Sequence, residues 1–501
     1  MGVELFAVLG FLFAAYAVVG NDALQTLGTF INSNSRLHWF WLFVFAGAVL
    51  VVTFTYGWVI YEGDPSWGRL SNAEKYPVVD IKWYHTLPPL VLLVITRFGV
   101  PVSTSFMVLT VFATLAGLSS MLVKSLSGYA LAFIVGLSVY LVVSRTLERH
   151  FRETEISDHA PWGLATVMGT LIGTAVYFIP PLLVPDMQFS LETCVAIAVF
   201  GVIIDIVASM TVIRFDNAPL SAAIAAGVTL VGAVAAFRYL PEAFSLFGLS
   251  KTPLVGVLAV ITFGALYYVS HHISSGRAAY WTILQWVTTA YLWGVWLIQD
   301  FANIFVFLPR ELTAVEGFTA MLAILALLAY TFWNKGGPVQ KILKAKTAVT
   351  DIRSATVIDF IYASLLFFFK EVSDLPMSTT FVFLGLIAGR EFGFTLANRA
   401  MSLTKACQLS LSDASKAYIG LIISINMAVG LPILARALTE PGFQLAAALP
   451  SASFQSLILI GNALLIPVVF YLIKQDSRPR MAINAGVLAA AAGGFVLFPP
   501  G

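Results

Sequence analysis

The sequence predicts an all-α polytopic membrane protein of two homologous repeats, with broken or re-entrant helices and roughly 12 or more transmembrane segments. Inversion of one repeat against the other is the expected relation. Composition is the first reason. Of 501 residues, 59% are hydrophobic and only 11% are charged, against roughly 25% charged in a soluble domain. The second reason is the recurrence of uncharged apolar runs that meet the roughly 18-to-20-residue spanning length. They include 37–61, 125–144, 159–185, 217–237, 278–299, 317–334, 417–435 and 441–473. The third is a doubled motif: Val100-Pro101-Val102-Ser103-Thr104-Ser105-Phe106 and Leu375-Pro376-Met377-Ser378-Thr379-Thr380-Phe381. Each copy turns at proline, passes through consecutive hydroxyl residues and enters a fresh apolar run. That is how a helix starts: proline is tolerated at a first turn, and Ser or Thr caps the orphan N–H groups.

The elements follow in order. Residues 5–20 are an apolar segment that meets Asn21-Asp22. Without a basic n-region before it, this run is expected to be a retained helix. An Asp inside an apolar segment costs about 3 kcal/mol on insertion scales, which makes Asp22 a functional-site candidate. A long helix is predicted at 37–61, then a polar loop from Glu62 to His85. Residues 88–98 are too short to span before Gly99-Val100-Pro101 breaks them, which suits a re-entrant hairpin or a broken helix better than two ordinary spans. The helix 125–144 is predicted to end in the basic cluster Arg145, Arg149, His150 and Arg152, which favours the cytoplasmic side. Runs at 161–185, 191–213, 217–237 and 252–270 read as scaffold helices, closed by His271-His272. The run 278–299 leads into Gln299-Asp300-Phe301-Ala302-Asn303; its aromatic residues read as packing and an interfacial belt. A helix at 317–334 precedes the basic loop Lys335 to Arg353, the clearest cytoplasmic candidate. Residues 354–369 contain Asp359, which, like Asp205, reads as an interfacial helix end. After the second motif, Arg390-Glu391 reads as an interfacial ion pair, with Arg390 also open as a site residue because on a helix it lies about three turns beyond Ser378. Closing helices are expected at 416–436, 447–473 and 481–498.

The doubling extends beyond the hydroxyl motifs. Asp22 precedes Ser103 by 81 positions and Asp300 precedes Ser378 by 78. Each Asp has an amide residue three positions on, Gln25 or Asn303, and then the same order of long helix, polar loop, short apolar run and Pro-x-Ser-Thr turn. The chain therefore divides into a first transporter repeat (1–155), inserted central helices (156–277), a second repeat (278–437) and C-terminal helices (438–501). Matching interrupted segments in two halves point to a transporter binding site.

At these residues the chain resembles the inorganic phosphate transporter (PiT) family, which carries two Asn-Asp-Val-Ala-Asn signatures and two Pro-Val-Ser-Thr-Thr-His motifs, one of each per inverted repeat. The signatures stand here as Asn21-Asp22-Ala23-Leu24-Gln25 and Gln299-Asp300-Phe301-Ala302-Asn303. Phe106 and Phe381 replace the family's histidines, and Ser105 stands where its second threonine usually does. The resemblance covers both repeats and leaves out the central insert. It implies cation-coupled uptake of inorganic phosphate, with sulfate permease activity also known in the family.

The residues themselves fit that chemistry. An oxyanion at the bilayer midplane must be stripped of water, and neutral donors hold it without trapping it. Ser103, Thr104, Ser105, Ser378, Thr379 and Thr380 are the candidate substrate ligands, at two helix N-termini. Bare carboxylates would repel the anion, so Asp22 and Asp300 are expected to face a cation, with Asn21, Gln25, Gln299 and Asn303 adding neutral oxygens. Na⁺ suits such ligands; protonation of an Asp would also remove the repulsion, so Na⁺ and H⁺ both stand as coupling ions. No cofactor and no metal beyond that Na⁺ is expected. Cys194 and Cys407 fit no disulfide or zinc spacing, and adjacent histidines point apart on a helix.

The expected partners are inorganic phosphate or sulfate, membrane lipid and a possible second copy of the chain. A net charge of +2 with no basic tail gives no reason to expect nucleic acid. The expected setting is a cell (inner) membrane. A channel is the first rival, since broken helices also build pores. An enzyme is the second, but there is no His-Glu-x-x-His, Gly-x-Ser-x-Gly or P-loop.

Overall fold

Among the described residues, α-helices build the unit that carries the doubled motifs. The computed structural model describes residues 5–22, 26–28, 30–31, 34, 37–97, 102–153, 245–246, 249–250, 279–334, 352–372, 376–398, 402–444 and 449–475. The chain forms two units, one of Met1–His150 with Thr288–Gly501 and one of Phe151–Val287. In the second unit the described residues are few: helix ends and an antiparallel hairpin pairing Ser245–Leu246 with Leu249–Ser250. The expected runs between 159 and 270, with Cys194, Asp205 and His271-His272, lie outside the described residues, as do the stretch 335–350 of the basic loop and the last predicted helix at 481–498.

The first half of the large unit runs α1 (Leu5–Ala17), a π-turn (Val18–Asp22), α2 (Trp39–Ile60), a short turn with α3 (Leu87–Arg97), α4 (Thr104–Leu109) and α5 (Leu115–Glu153). The second half runs α6 (Ala279–Phe305), α7 (Ala314–Trp333), α8 (Ile352–Val372), α9 (Thr379–Asn398) and α10 (Leu403–Thr439), with α11 (Ala452–Gln475) behind it. Among the described residues five helices are long and apolar enough to cross a membrane: α2, the stretch Leu115–Leu141 of α5, α7, α10 and Phe454–Leu472 of α11. The protein is thus a helical integral membrane protein.

Two helices run on past their apolar stretches. Helix α5 ends in the basic cluster, passing through Arg145, Arg149, His150 and Arg152 to Glu153; Arg and Glu are good helix formers, and charge ends a span without ending a helix. Helix α6 likewise runs from the apolar stretch through the Gln299–Asn303 signature to Phe305.

Local signals set the starts. Thr313 and Glu316 form a reciprocal capping box at α7, the Thr313 hydroxyl accepting from the Glu316 amide at 3.4 Å. Ser402 caps α10 through the Lys405 amide at 3.2 Å. Between helices, packing and a few polar contacts replace the hydrophobic effect that lipid cannot supply. Helix α2 lies against α7, α4 against α10, and α10 against α9 and α11. Asn426 and Asn462 exchange amide hydrogen bonds of 2.9 and 3.1 Å between α10 and α11. Trp293 and Trp296, stacked at 5.1 Å between ring centroids, are fully buried. The Trp293 indole N–H reaches the Ala46 carbonyl at 2.9 Å, so these rings are core packing, not an interfacial belt.

Helices α5 and α9 meet along a seam of small residues. Gly385, Gly389 and Gly393 repeat every four positions, one face of α9. A Cβ on Gly385 would lie 2.3 Å from the Tyr129 carbonyl oxygen, and one on Gly389 would lie 2.2 Å from that of Phe133. Only glycine allows these backbones to approach so closely.

Candidate oxyanion and cation site

Proline and hydroxyl residues do at both motifs what their chemistry dictates. At the first, Ser103 is extended (φ −72°, ψ 121°) and its hydroxyl accepts from the Phe106 amide at 3.2 Å. At the second, the Ser378 hydroxyl accepts from the Phe381 amide, also at 3.2 Å. Both serines are N-caps.

The two turns meet. The Ser105 hydroxyl donates to the Met377 carbonyl at 3.0 Å, 272 positions away in the chain. The rings of Phe106 and Phe381, one residue past each hydroxyl run, pack edge to face with centroids 5.6 Å apart. All six hydroxyl residues, Ser103, Thr104, Ser105, Ser378, Thr379 and Thr380, are buried.

Helix α6 brings the acidic signature to this junction. Gln299, Asp300 and Asn303 lie on adjoining positions of one helical face and are 0% exposed. The carboxylate of Asp300 accepts from the Thr379 hydroxyl at 3.2 Å through one oxygen and from the Asn303 amide through the other. The same amide nitrogen of Asn303 also donates to Ser105 at 3.2 Å. One Asp–Asn pair thereby touches both hydroxyl turns. Gln299 donates to the Leu366 carbonyl at 3.1 Å. These donations fix both amide groups and leave the Gln299 Oε1 and Asn303 Oδ1 oxygens buried without a hydrogen-bond partner. Two orphaned carbonyl oxygens beside a buried carboxylate are the donor set of a hard cation.

The first signature is placed less fully. Asn21 and Asp22 close the π-turn after α1, and Gln25 lies outside the described residues. The halves also differ in strength: α9 has 20 residues but α4 only six. Aligned peptide dipoles therefore favour an anion at the α9 end far more than at α4. At the end of α4 the Thr110 hydroxyl donates to the Phe106 carbonyl, and a turn leads directly into α5.

Sequence reasoning missed three supports of the site. Ser125 of α5, wholly buried, accepts from the Ser378 amide at 2.9 Å. Tyr362 of α8 donates to the Thr379 carbonyl at 3.3 Å. The glycine seam clamps α9 to α5, and its four-residue spacing was visible in the sequence. One expectation is corrected: Asp359 is not an interfacial helix end. It is 2% exposed and accepts from the Thr289 hydroxyl at 3.2 Å, because α8 packs its flank inward. It lines a cavity of about 40 Å³ with Thr26, Tyr140, Tyr362, Leu386 and Arg390, room for ordered water. Arg390 lies over the Tyr140 ring at 5.5 Å.

No family model matches this sequence, and no curated protein matches it either. A solved structure described as the sodium-dependent phosphate transporter is similar in fold, with a TM-score of 0.50 over 84% of this chain and 95% of that one, at 12% identity. The solved protein is described as a transporter, and at this identity the likeness is one of fold alone.

Proposed function

We propose that this protein is a cation-coupled transporter of a tetrahedral oxyanion, inorganic phosphate ahead of sulfate. The observation that carries the reading is the contact between the two hydroxyl turns, joined by Ser105 to Met377 and bridged by Asp300 and Asn303. The described transport of phosphate by the solved protein of similar fold supports the same choice.

In this reading the hydroxyls of both motifs and the first-turn amides of α9 wrap the anion without a fixed positive charge. Gln299, Asp300 and Asn303 hold Na⁺, or Asp300 a proton, with Asn21, Asp22 and Gln25 forming the counterpart from the first half. Binding the cation cancels the carboxylate's repulsion of the anion, which couples the two. The helix order α1–α5 recurring as α6–α10 supports duplication, and in this reading the two repeats are inverted and rock around a fixed site.

The experiment is uptake of radiolabelled phosphate and sulfate into proteoliposomes, each with and without an inward Na⁺ gradient. Saturable phosphate uptake that collapses without the gradient is expected. Non-saturating flux indifferent to any cation gradient would make the protein a channel instead. Replacing Ser378 with Ala is expected to weaken phosphate affinity tenfold or more, since a hydrogen bond to a charged group contributes about 1.5–3 kcal/mol. Lost capping adds about 1 kcal/mol of destabilisation, read separately as a lower melting temperature.

A further inference from the structure

We infer, resting on the transporter reading above, that the Thr379 hydroxyl couples the two ligands. Its proton stays on Asp300 until Na⁺ binds there, and then turns to the oxyanion, so the cation binds first.

A hydroxyl owns one proton and gives it to one acceptor at a time. The Thr379 hydroxyl donates to the Asp300 carboxylate at 3.2 Å. Both residues are buried, Asp300 at 0% exposure and Thr379 at 4%, which keeps bulk water from competing for the contact. A proton engaged on Asp300 does not serve an anion at the start of α9. Hydrogen bonds to a charged acceptor are roughly twice as strong as neutral ones, so a bare carboxylate holds this proton firmly. Na⁺ beside Asp300 reverses the balance: the neutralised carboxylate is the weaker acceptor, and the oxyanion is the stronger.

The surroundings permit this turn without moving a helix. Tyr362 donates to the Thr379 carbonyl at 3.3 Å, and the preceding Ser378 amide is held by Ser125 at 2.9 Å. With the backbone pinned, rotation of the hydroxyl about its own C–O bond is enough. The carboxylate is steadied as well, because the Asn303 amide holds the other Asp300 oxygen and reaches Ser105 at 3.2 Å. The neighbouring hydroxyls are engaged differently. Ser105 gives its proton to the Met377 backbone carbonyl at 3.0 Å, an acceptor with no net charge for a cation to cancel. Ser103 and Ser378 use their oxygens as caps, accepting from the Phe106 and Phe381 amides. Thr379 is the motif hydroxyl whose donation to a carboxylate responds to a cation.

The quantity to read is the ratio of phosphate dissociation constants without and with Na⁺. Equilibrium dialysis of the purified full chain with radiolabelled orthophosphate gives it, choline replacing Na⁺ at constant ionic strength. In the wild type Na⁺ is expected to tighten phosphate, and by linkage phosphate tightens Na⁺ by the same factor. Thr379→Val keeps the shape but has no proton to turn, and is expected to shrink that ratio about tenfold, as loss of one hydrogen bond to a charged group does. Thr379→Ser, which keeps the proton, is expected to keep the wild-type ratio. Should Thr379→Val fail to fold, Thr379→Ala takes its place. A passive ligand or a merely structural residue weakens phosphate equally in both media. A wild-type ratio in the folded hydroxyl-free variant therefore overturns the proposal and leaves the transporter reading standing. A wild type whose phosphate binding ignores Na⁺ overturns the proposal together with Na⁺ coupling itself.

Discussion

Replacing Asp300 with Asn is expected to abolish the Na⁺ dependence of uptake while the protein stays folded. The side chain is wholly buried and accepts from Thr379 and Asn303 on its two oxygens. Asparagine keeps the shape and one acceptor but turns an NH₂ toward a donor. It also removes the charge that would face the cation. Removing one member of a buried charged pair costs about 3–5 kcal/mol, which at 1.4 kcal/mol per decade is about two to three and a half orders of magnitude in cation affinity. The Na⁺ titration of initial uptake rate checks this, with thermal melting in detergent as the folding control. An unchanged half-saturating Na⁺ concentration would remove Asp300 from the cation site.

Gly389→Ala is expected to be the most damaging small change in the membrane core. The new Cβ would lie 2.2 Å from the Phe133 carbonyl oxygen and 2.7 Å from the Leu137 amide nitrogen. Both are backbone atoms, so α5 and α9 must separate. Overpacking costs about 1–3 kcal/mol where side chains can yield, and the upper end is expected here. Because α9 begins at Thr379 and α5 carries Ser125, the separation also disturbs the hydroxyl junction. Gly294→Ala is the control: its nearest neighbour is the Thr53 hydroxyl at 3.5 Å, ordinary contact. A differential scanning measurement should show Gly389→Ala melting well below wild type and Gly294→Ala near it. Equal melting temperatures would mean that the seam does not hold these helices.

What could be read in advance divides along physical lines. The Ser103 and Ser378 caps were legible because capping is local chemistry, decided within four residues. The pairing of Asp300 with an amide residue three positions on was visible as spacing, and the helix that puts Gln299, Asp300 and Asn303 on one face came from the structure. The contact between Ser105 and Met377 was only inferable, since no local rule joins residues 272 positions apart. Asp359 was misread for a related reason: its burial is decided by α6 and the flank that α8 turns inward, not by the apolar run around it. The far ends of α5 and α6 could not be fixed from hydropathy, because charged and polar residues end the membrane-crossing part of a helix without ending the helix. The glycine seam was visible as spacing, but its partner, α5, was not. Ser125 has no sequence signal of its own; a lone serine in a long helix gains meaning only when the Ser378 amide is placed against it.

The account's central claim is that both hydroxyl turns serve one anion. Na⁺-driven uptake of radiolabelled phosphate into proteoliposomes, compared between wild type, Ser105→Ala and Ser378→Ala, tests it most directly. A single shared site predicts that either substitution alone raises the half-saturating phosphate concentration about tenfold or more, and that the double variant is no worse than a shared site allows. Substantial wild-type uptake in either single variant, lost only when both are combined, would mean that the two turns act independently and would contradict it.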